Sequence, residues 1–286
     1  SLLEKKGISA AVADARVIKP LDRAMFERLA QKCPLIVTVE DNTVIGGFEN
    51  RNLQFSLRMM SDRNKTIDEY VTHLRLLLSE KSVDFSNVEG GIISSVVPEL
   101  RYVLKKAMKS LTGKEFLVVS NQMKLGMKIK MDIPSQVGAD LLVDAAAALS
   151  LFPPPLAIFD MGTATTMSVI DREGNYIGGV IMPGLRLSMD ALSGRAAQLP
   201  FINLDEPPMH LIGKNTVDCM KAGAVYSNAA MIDGLIERVE AELGEPVTAV
   251  ATGGLMGVVL PFCKREIHYD ENLLLIGLLS LYESNC

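Results

Sequence analysis

The chain lacks the excess of basic residues that a polyanion-binding protein carries: 29 Lys and Arg stand against 34 Asp and Glu, a net charge of −5. No nucleic-acid partner is therefore expected, although a local cationic pocket for a nucleotide stays open. Cysteine is scarce and scattered. Cys33, Cys219, Cys263 and Cys286 form no C-x-x-C pair, and the three histidines add no ligand spacing to them, so neither zinc nor a redox dithiol is indicated. Free thiols in a reducing compartment are the expected state. Long apolar runs are missing too: Leu273 to Tyr282 is too short to span a bilayer, and no membrane partner is expected. Ser1 to Lys6 does not have the build of a signal peptide, so the expected location is cytoplasmic.

What is present is a soluble α/β pattern, with 48% hydrophobic and 22% charged residues. Leu35 to Val39, Val44 to Phe48 and Leu53 to Met59 are apolar runs separated by turn residues, which predicts a three-stranded meander. A helix follows from Thr66, spaced from Glu69 as a capping box. Then come a buried strand from Gly91 ending at Pro98, a helix to Leu111, a strand at Phe116 to Val119 and an alanine-rich helix over 139–151. The same order returns in the second half: meander strands at Leu156 to Asp160, Thr166 to Asp171 and Tyr176 to Met182, helices at 185–197 and 216–243, a strand at Val247 to Ala251, and helices near 254–260 and 273–284. A repeated strand–loop–strand–turn–strand unit implies duplication in architecture though hardly in letters.

Three places suit chemistry. Asp160-Met161-Gly162-Thr163-Ala164-Thr165-Thr166 puts an acid at a strand end before a glycine and small hydroxyl residues. Such a hairpin tip exposes backbone N–H groups to phosphate while the acid holds a cation, and it is equally the shape of an ordinary Gly-Thr turn. Gly253-Gly254 follows an apolar strand and opens a helix, either to let a flat nucleoside lie on the backbone or to pack strand on helix. Asp140, after Gly138-Ala139, starts a helix; it is a first-turn or capping acid, or a base for a substrate hydroxyl. Asp144, one turn on, is read as solvated. Occurring together in this order, the three features point to a phosphotransferase.

The chain also resembles a known family. The Asp160 to Thr166 stretch, Gly178-Gly179-Val180-Ile181-Met182-Pro183-Gly184, Ile212-Gly213-Lys214-Asn215-Thr216 and Ala251-Thr252-Gly253-Gly254-Leu255 are similar to type III pantothenate kinases. So are Ser61-Asp62-Arg63, Thr66 to Tyr70 and Ile93 to Pro98, all in collinear order. The resemblance implies an actin-like (ribonuclease H-like) duplicated ATPase fold, with halves at 35–137 and 138–286. It implies phosphorylation of pantothenate by ATP, the first step of coenzyme A synthesis, in a homodimer using Mg2+ and a monovalent cation, K+ or NH4+. Carried over by position, Asp140 is the proton acceptor and Gly138, Ala139, Leu141 and Thr216 are substrate-side residues. Asp160 is the cation ligand, and Asn42, Thr43, Gly162, Thr163, Thr165, Gly253 and Gly254 lie on the ATP side.

Three departures stand out. Leu141 replaces the arginine the family places after the catalytic acid, and Met131 replaces an expected tyrosine. The family's first loop reads Asp-x-Gly-Asn-Thr; here Asn42 and Thr43 are kept, but the Asp and Gly are lost, with Val37, Val39, Glu40 and Asp41 in the run before them. Upstream, Leu2 to Gly47 resembles the C-terminal domain of 1-deoxyxylulose-5-phosphate synthase, a thiamine-diphosphate enzyme of transketolase type; residues 1–34 form that fragment, and it is expected to carry no catalysis of its own. Two readings follow for activity: a working kinase, or a catalytically weak homologue acting as a binding or regulatory protein.

Overall fold

The computed structural model describes residues 35–39, 42–95, 97–196 and 198–286, with side chains from Thr43 onward. The helices and strand expected before Leu35, and the loop residues Glu40 and Asp41, lie outside the described residues.

The first sheet follows from the predicted meander. Strands β1 (Leu35–Val39), β2 (Asn42–Glu49) and β3 (Asn52–Met60) run antiparallel in sequence. Beyond β1, strands β4 (Gly91–Ser95) and β5 (Phe116–Val118) add in parallel, giving the order β3-β2-β1-β4-β5. β1, drawn from the segment with the foreign resemblance, therefore occupies the centre of the sheet, paired with β2 on one side and β4 on the other. Helices α1 (Ile67–Glu80) and α2 (Pro98–Thr112) are the crossovers. α1 starts where expected: the Thr66 hydroxyl accepts from the Glu69 backbone N–H, and the Glu69 carboxylate accepts from the Thr66 N–H, an arrangement whose loss costs about 1 kcal/mol. Tyr70, Leu74 and Leu78 of α1 pack with Ile45, Ile93, Leu104 and Phe116 to form the first core.

The second sheet repeats the first strand for strand. β6 (Leu156–Met161), β7 (Ala164–Ile170) and β8 (Tyr176–Pro183) form the antiparallel meander. β9 (Thr248–Thr252) and the short β10 (His268–Tyr269) add in parallel beside β6. The order β10-β9-β6-β7-β8 is the first sheet's order with each strand replaced by its counterpart, so the duplication read from the pattern holds at the level of topology. The two-residue strand β10 and the splitting of the helix near 254–260 into α6 (Met256–Val259) and a 3-10 turn were not legible. Helices α4 (Leu185–Arg195) and α5 (Thr216–Leu243) cover this sheet, with Ile232 and Ile236 of α5 against Phe159 and Met167.

Two helices join the halves. α3 (Ala139–Leu151) and α7 (Leu273–Asn285) lie against each other and share a core with Phe48, Ile92 and Val119 of the first half. Their approach depends on Gly277, where a Cβ would stand 2.3 Å from the Val143 carbonyl oxygen. α3 is covered on the other side by Leu156, Ile158 and Ile170 of the second half. That double cover corrects one expectation: Asp144, read as solvated, is only 2% exposed.

Candidate active site

A cavity of about 690 Å³ opens between the two sheets, and the elements just described explain what lines it. From the first half come Val44 of β2 and Ser56 and Arg58 of β3; Val44 stands directly opposite Arg58, and Ser56 lies two residues along on the same face. From the second half come Asp160, Gly162 and Thr163, where β6 turns into β7, with Thr252, Gly253 and Gly254 at the end of β9. The hairpin pairs down to Met161 opposite Thr165, so Gly162-Thr163 is its tip, as expected. Arg186, in the first turn of α4, and Glu271 and Asn272, just before α7, complete the rim.

Close backbone contacts hold these turns in place. Gly253 has φ +96°, and a Cβ there would lie 2.6 Å from the Met161 backbone nitrogen. Only glycine allows both that φ and that approach, so the β9 turn is pressed onto the end of β6. The Tyr269 hydroxyl donates to the Gly253 carbonyl at 3.3 Å from the far side. Gly184, the cap of α4, presses on the Gly162-Thr163 tip, where a Cβ would meet the Thr163 carbonyl oxygen at 2.1 Å. Across the cavity, a Cβ on Gly254 would find an Arg58 guanidinium nitrogen 3.7 Å away. The first half thus reaches the Gly253-Gly254 turn of the second.

Asp160 and Asp140 form an electrostatic pair. Burial pushes the Asp160 carboxyl up to about 6, and the nearby charge of Asp140 adds to it. Burial also raises Asp140, against the backbone N–H groups of Leu141 and of Asp140 itself. Asp140 is a first-turn acid of α3, with Gly138 as the cap. A Cβ on Gly138 would lie 2.4 Å from an Asp140 carboxylate oxygen, so glycine there leaves room for the carboxylate to fold back over the helix start. Two carboxylates raised by burial, one of them also by the other's charge, fit a cation: a hard divalent ion takes one or two carboxylates and completes its shell with water and phosphate oxygens.

The remaining residues of sequence interest divide. Thr43 is fully buried, and its hydroxyl shares a 2.9 Å hydrogen bond with Ser61; Asn42 opens β2 opposite Met60. Thr165 is buried and its hydroxyl oxygen has no hydrogen-bond partner among the described residues. Ala139 is buried in the inter-half core, and Leu141 packs, partly buried, with Ala145, Ala148 and Tyr176, so its side chain is a core contact where an arginine would be charged. Met131 lies over β8, its sulfur 3.8 Å from where a Gly178 Cβ would be. Thr216, at the start of α5, is not brought to this cavity. It lines a second one of about 630 Å³ between α4, α5 and the end of β8. Sequence reasoning missed Ser56, Arg58 and Arg186. Strand alternation gave the face of Ser56 and Arg58 but not what that face looks toward.

Two five-stranded sheets of the same strand order, each an antiparallel meander with a parallel extension and with a cavity between them, define a duplicated actin-like fold. Solved structures agree at the level of fold. A conserved Baf family protein from Campylobacter jejuni superposes with TM-score 0.55 at 17% identity, covering 87% of this chain and 97% of that one. The ethanolamine utilization protein EutJ from Carboxydothermus hydrogenoformans does so with TM-score 0.52 at 14% identity, covering 88% and 90%. The sequence is more specific. The family profile described as type III pantothenate kinase matches residues 41–238, and that of the transketolase C-terminal domain matches residues 1–61. Type III pantothenate kinases of Moorella thermoacetica and of an Exiguobacterium strain are 41% and 40% identical over 244 residues, covering 85% of this chain and 96% and 95% of theirs. The chain belongs to the type III pantothenate kinase family.

Proposed function

We propose that this chain phosphorylates pantothenate with ATP to give 4'-phosphopantothenate, using the cavity between the sheets. The observation that carries the reading is the convergence of the Asp160 hairpin tip, the Gly253-Gly254 turn and Arg58 on one cavity, with Asp140 close enough to raise the Asp160 carboxyl.

The nucleoside lies on the Gly253-Gly254 turn, where the missing side chains leave backbone exposed. Its phosphates run toward Gly162, Thr163 and Thr165 of one tip and Asn42 and Thr43 of the other. Gly138, Ala139 and Leu141 would serve the substrate side through backbone, since the side chains of Ala139 and Leu141 pack into cores. Asp140 orients the substrate hydroxyl and takes its proton as that oxygen bonds to the terminal phosphorus and the bond from phosphorus to the ADP oxygen breaks. Its raised proton affinity suits a base, because a carboxylate of ordinary pKa accepts a proton weakly. Asp160, with Asp140 nearby, would hold the divalent metal or the monovalent cation, which neutralises phosphate charge when bound. Everything else is positioning.

The same reading includes a cytoplasmic homodimer built from halves at 35–137 and 138–286. What supports the dimer is exposed apolar surface in the second half, where Ile181, Phe201 and Ile212 are 75%, 76% and 79% exposed. Among the described residues no helix is long and apolar enough to cross a membrane. Thr216, in that cavity, then serves substrate from the dimer side.

The test is a coupled ADP-release assay with pantothenate, ATP and Mg2+, run with K+, NH4+ or Na+. Asp140→Asn should lower kcat by about 10²–10⁴ while leaving ATP affinity within a few-fold. Unchanged turnover in that variant would remove Asp140 from its role, and equal rates in Na+ and K+ would remove the monovalent cation.

A further inference from the structure

Arg58 reaches the cavity from β3, which no phosphate-loop motif marks, and its guanidinium lies beside Gly254 of the other half. It is exposed within the cleft and makes no ion pair among the described residues, where the pairs found all lie elsewhere. The same cavity carries one further cation, Arg186, and the acids Asp160 and Glu271. Between β1 and β2 the sequence offers Glu40 and Asp41 and no glycine before Asn42, and these two acids lie outside the described residues. Two acids next to a polyphosphate oppose its entry unless positive charge is supplied nearby. A guanidinium is suited to this, because its planar fork donates two parallel hydrogen bonds to phosphate oxygens.

We propose that Arg58 is a phosphate-binding residue of this site, reaching across the cleft to hold the nucleotide's phosphate chain and supplying the positive charge that the acidic first loop withholds. The inference rests on the kinase reading above and adds to it a residue and an electrostatic role. It accounts for the placement of an exposed cation on a strand of one half against a glycine turn of the other. It also requires that Arg58 discriminate by phosphate: ATP and ADP should feel it, and adenosine should not.

The experiment is calorimetric titration of the full chain with ATP, ADP and adenosine, in wild type, Arg58→Gln and Arg58→Lys, with the ligand-free thermal midpoint recorded for each. Loss of a charge-assisted phosphate contact should weaken ATP about 10- to 100-fold in Arg58→Gln, leave adenosine within about 2-fold, and give an intermediate value in Arg58→Lys. The thermal midpoints should stay level. ATP and adenosine weakening together, with a fallen midpoint, would mean that Arg58 only supports the fold and would overturn the proposal. ATP binding equal to wild type in Arg58→Gln would overturn it while leaving the kinase reading intact. Wild type failing to bind ATP at all would end both.

Discussion

Asp160→Asn exchanges a buried carboxylate for an amide of the same shape at the end of β6, and the ligand-free protein should gain stability from the change. The sign follows from proton linkage. Unfolded, the carboxyl titrates near 3.8; folded, burial and Asp140 hold it at about 6. Below pH 3.8 both states are protonated and the group costs nothing. Between the two values the folded state keeps its proton while the unfolded state loses it, so stability falls as pH rises. Above about 6 the ionised group is buried at full cost, on the order of 3 kcal/mol at about 1.4 kcal/mol for each tenfold in proton affinity. Asparagine removes that cost. In chelator-treated buffer at pH 8 the variant should melt roughly 5 °C above wild type, and the gap should close toward pH 4. ATP with Mg2+ should reverse the order, because wild type alone has the carboxylate for a cation. A variant no more stable than wild type at pH 8, or a gap that ignores pH, would refute a strained acid at this position.

Two further outcomes test neighbouring claims. Gly253→Ala forces a side chain into a left-handed φ and against the Met161 backbone, so it should destabilise the fold by about 2 kcal/mol or more and weaken ATP, read by thermal melts and titration. Ile212→Asp with Phe201→Asp places charge on exposed apolar positions of the second half, and light scattering should show the mass falling from that of the proposed dimer to that of a monomer.

The fold was largely legible because both periods were clear: alternation in the meanders, helical spacing between them, and a cap at Thr66 that the structure realises atom for atom. The alanine-rich helix held a signal that went unused. Residues 145–148 are alanine, so α3 is apolar nearly all round, and a helix of that kind is buried on every side. That argument would have placed Asp144 indoors. Arg58 is a different case. Alternation along β3 says which residues share a face, yet whether the face meets water or a facing half depends on how two sheets pack, information carried by α3 and α7 far along the chain. Thr216 shows the converse: a motif residue can sit in family order and still line another cavity.

The first loop separates fold from chemistry most sharply. A central strand asks of its sequence mainly backbone hydrogen bonds and β propensity, which is why Leu35–Val39 can pair with β2 and β4 although the kinase profile begins only at residue 41. A phosphate loop asks for particular residues at particular places, and residues 35–43 nowhere read Asp-x-Gly-Asn-Thr. Val39→Asp with Asp41→Gly writes Asp-x-Gly onto the kept Asn42-Thr43, at the end of β1 rather than in its middle, and should raise kcat/KM for ATP at least about tenfold. If Arg58 stands in for the missing loop, the two effects are not independent: Arg58→Gln should cost less in the restored loop than in wild type. Steady-state kinetics of the four proteins in a double-mutant cycle reads that coupling directly. No gain from the restored loop would show that the chain already binds its triphosphate by other means, and strictly additive effects would cut the link between Arg58 and the acids it is argued to offset.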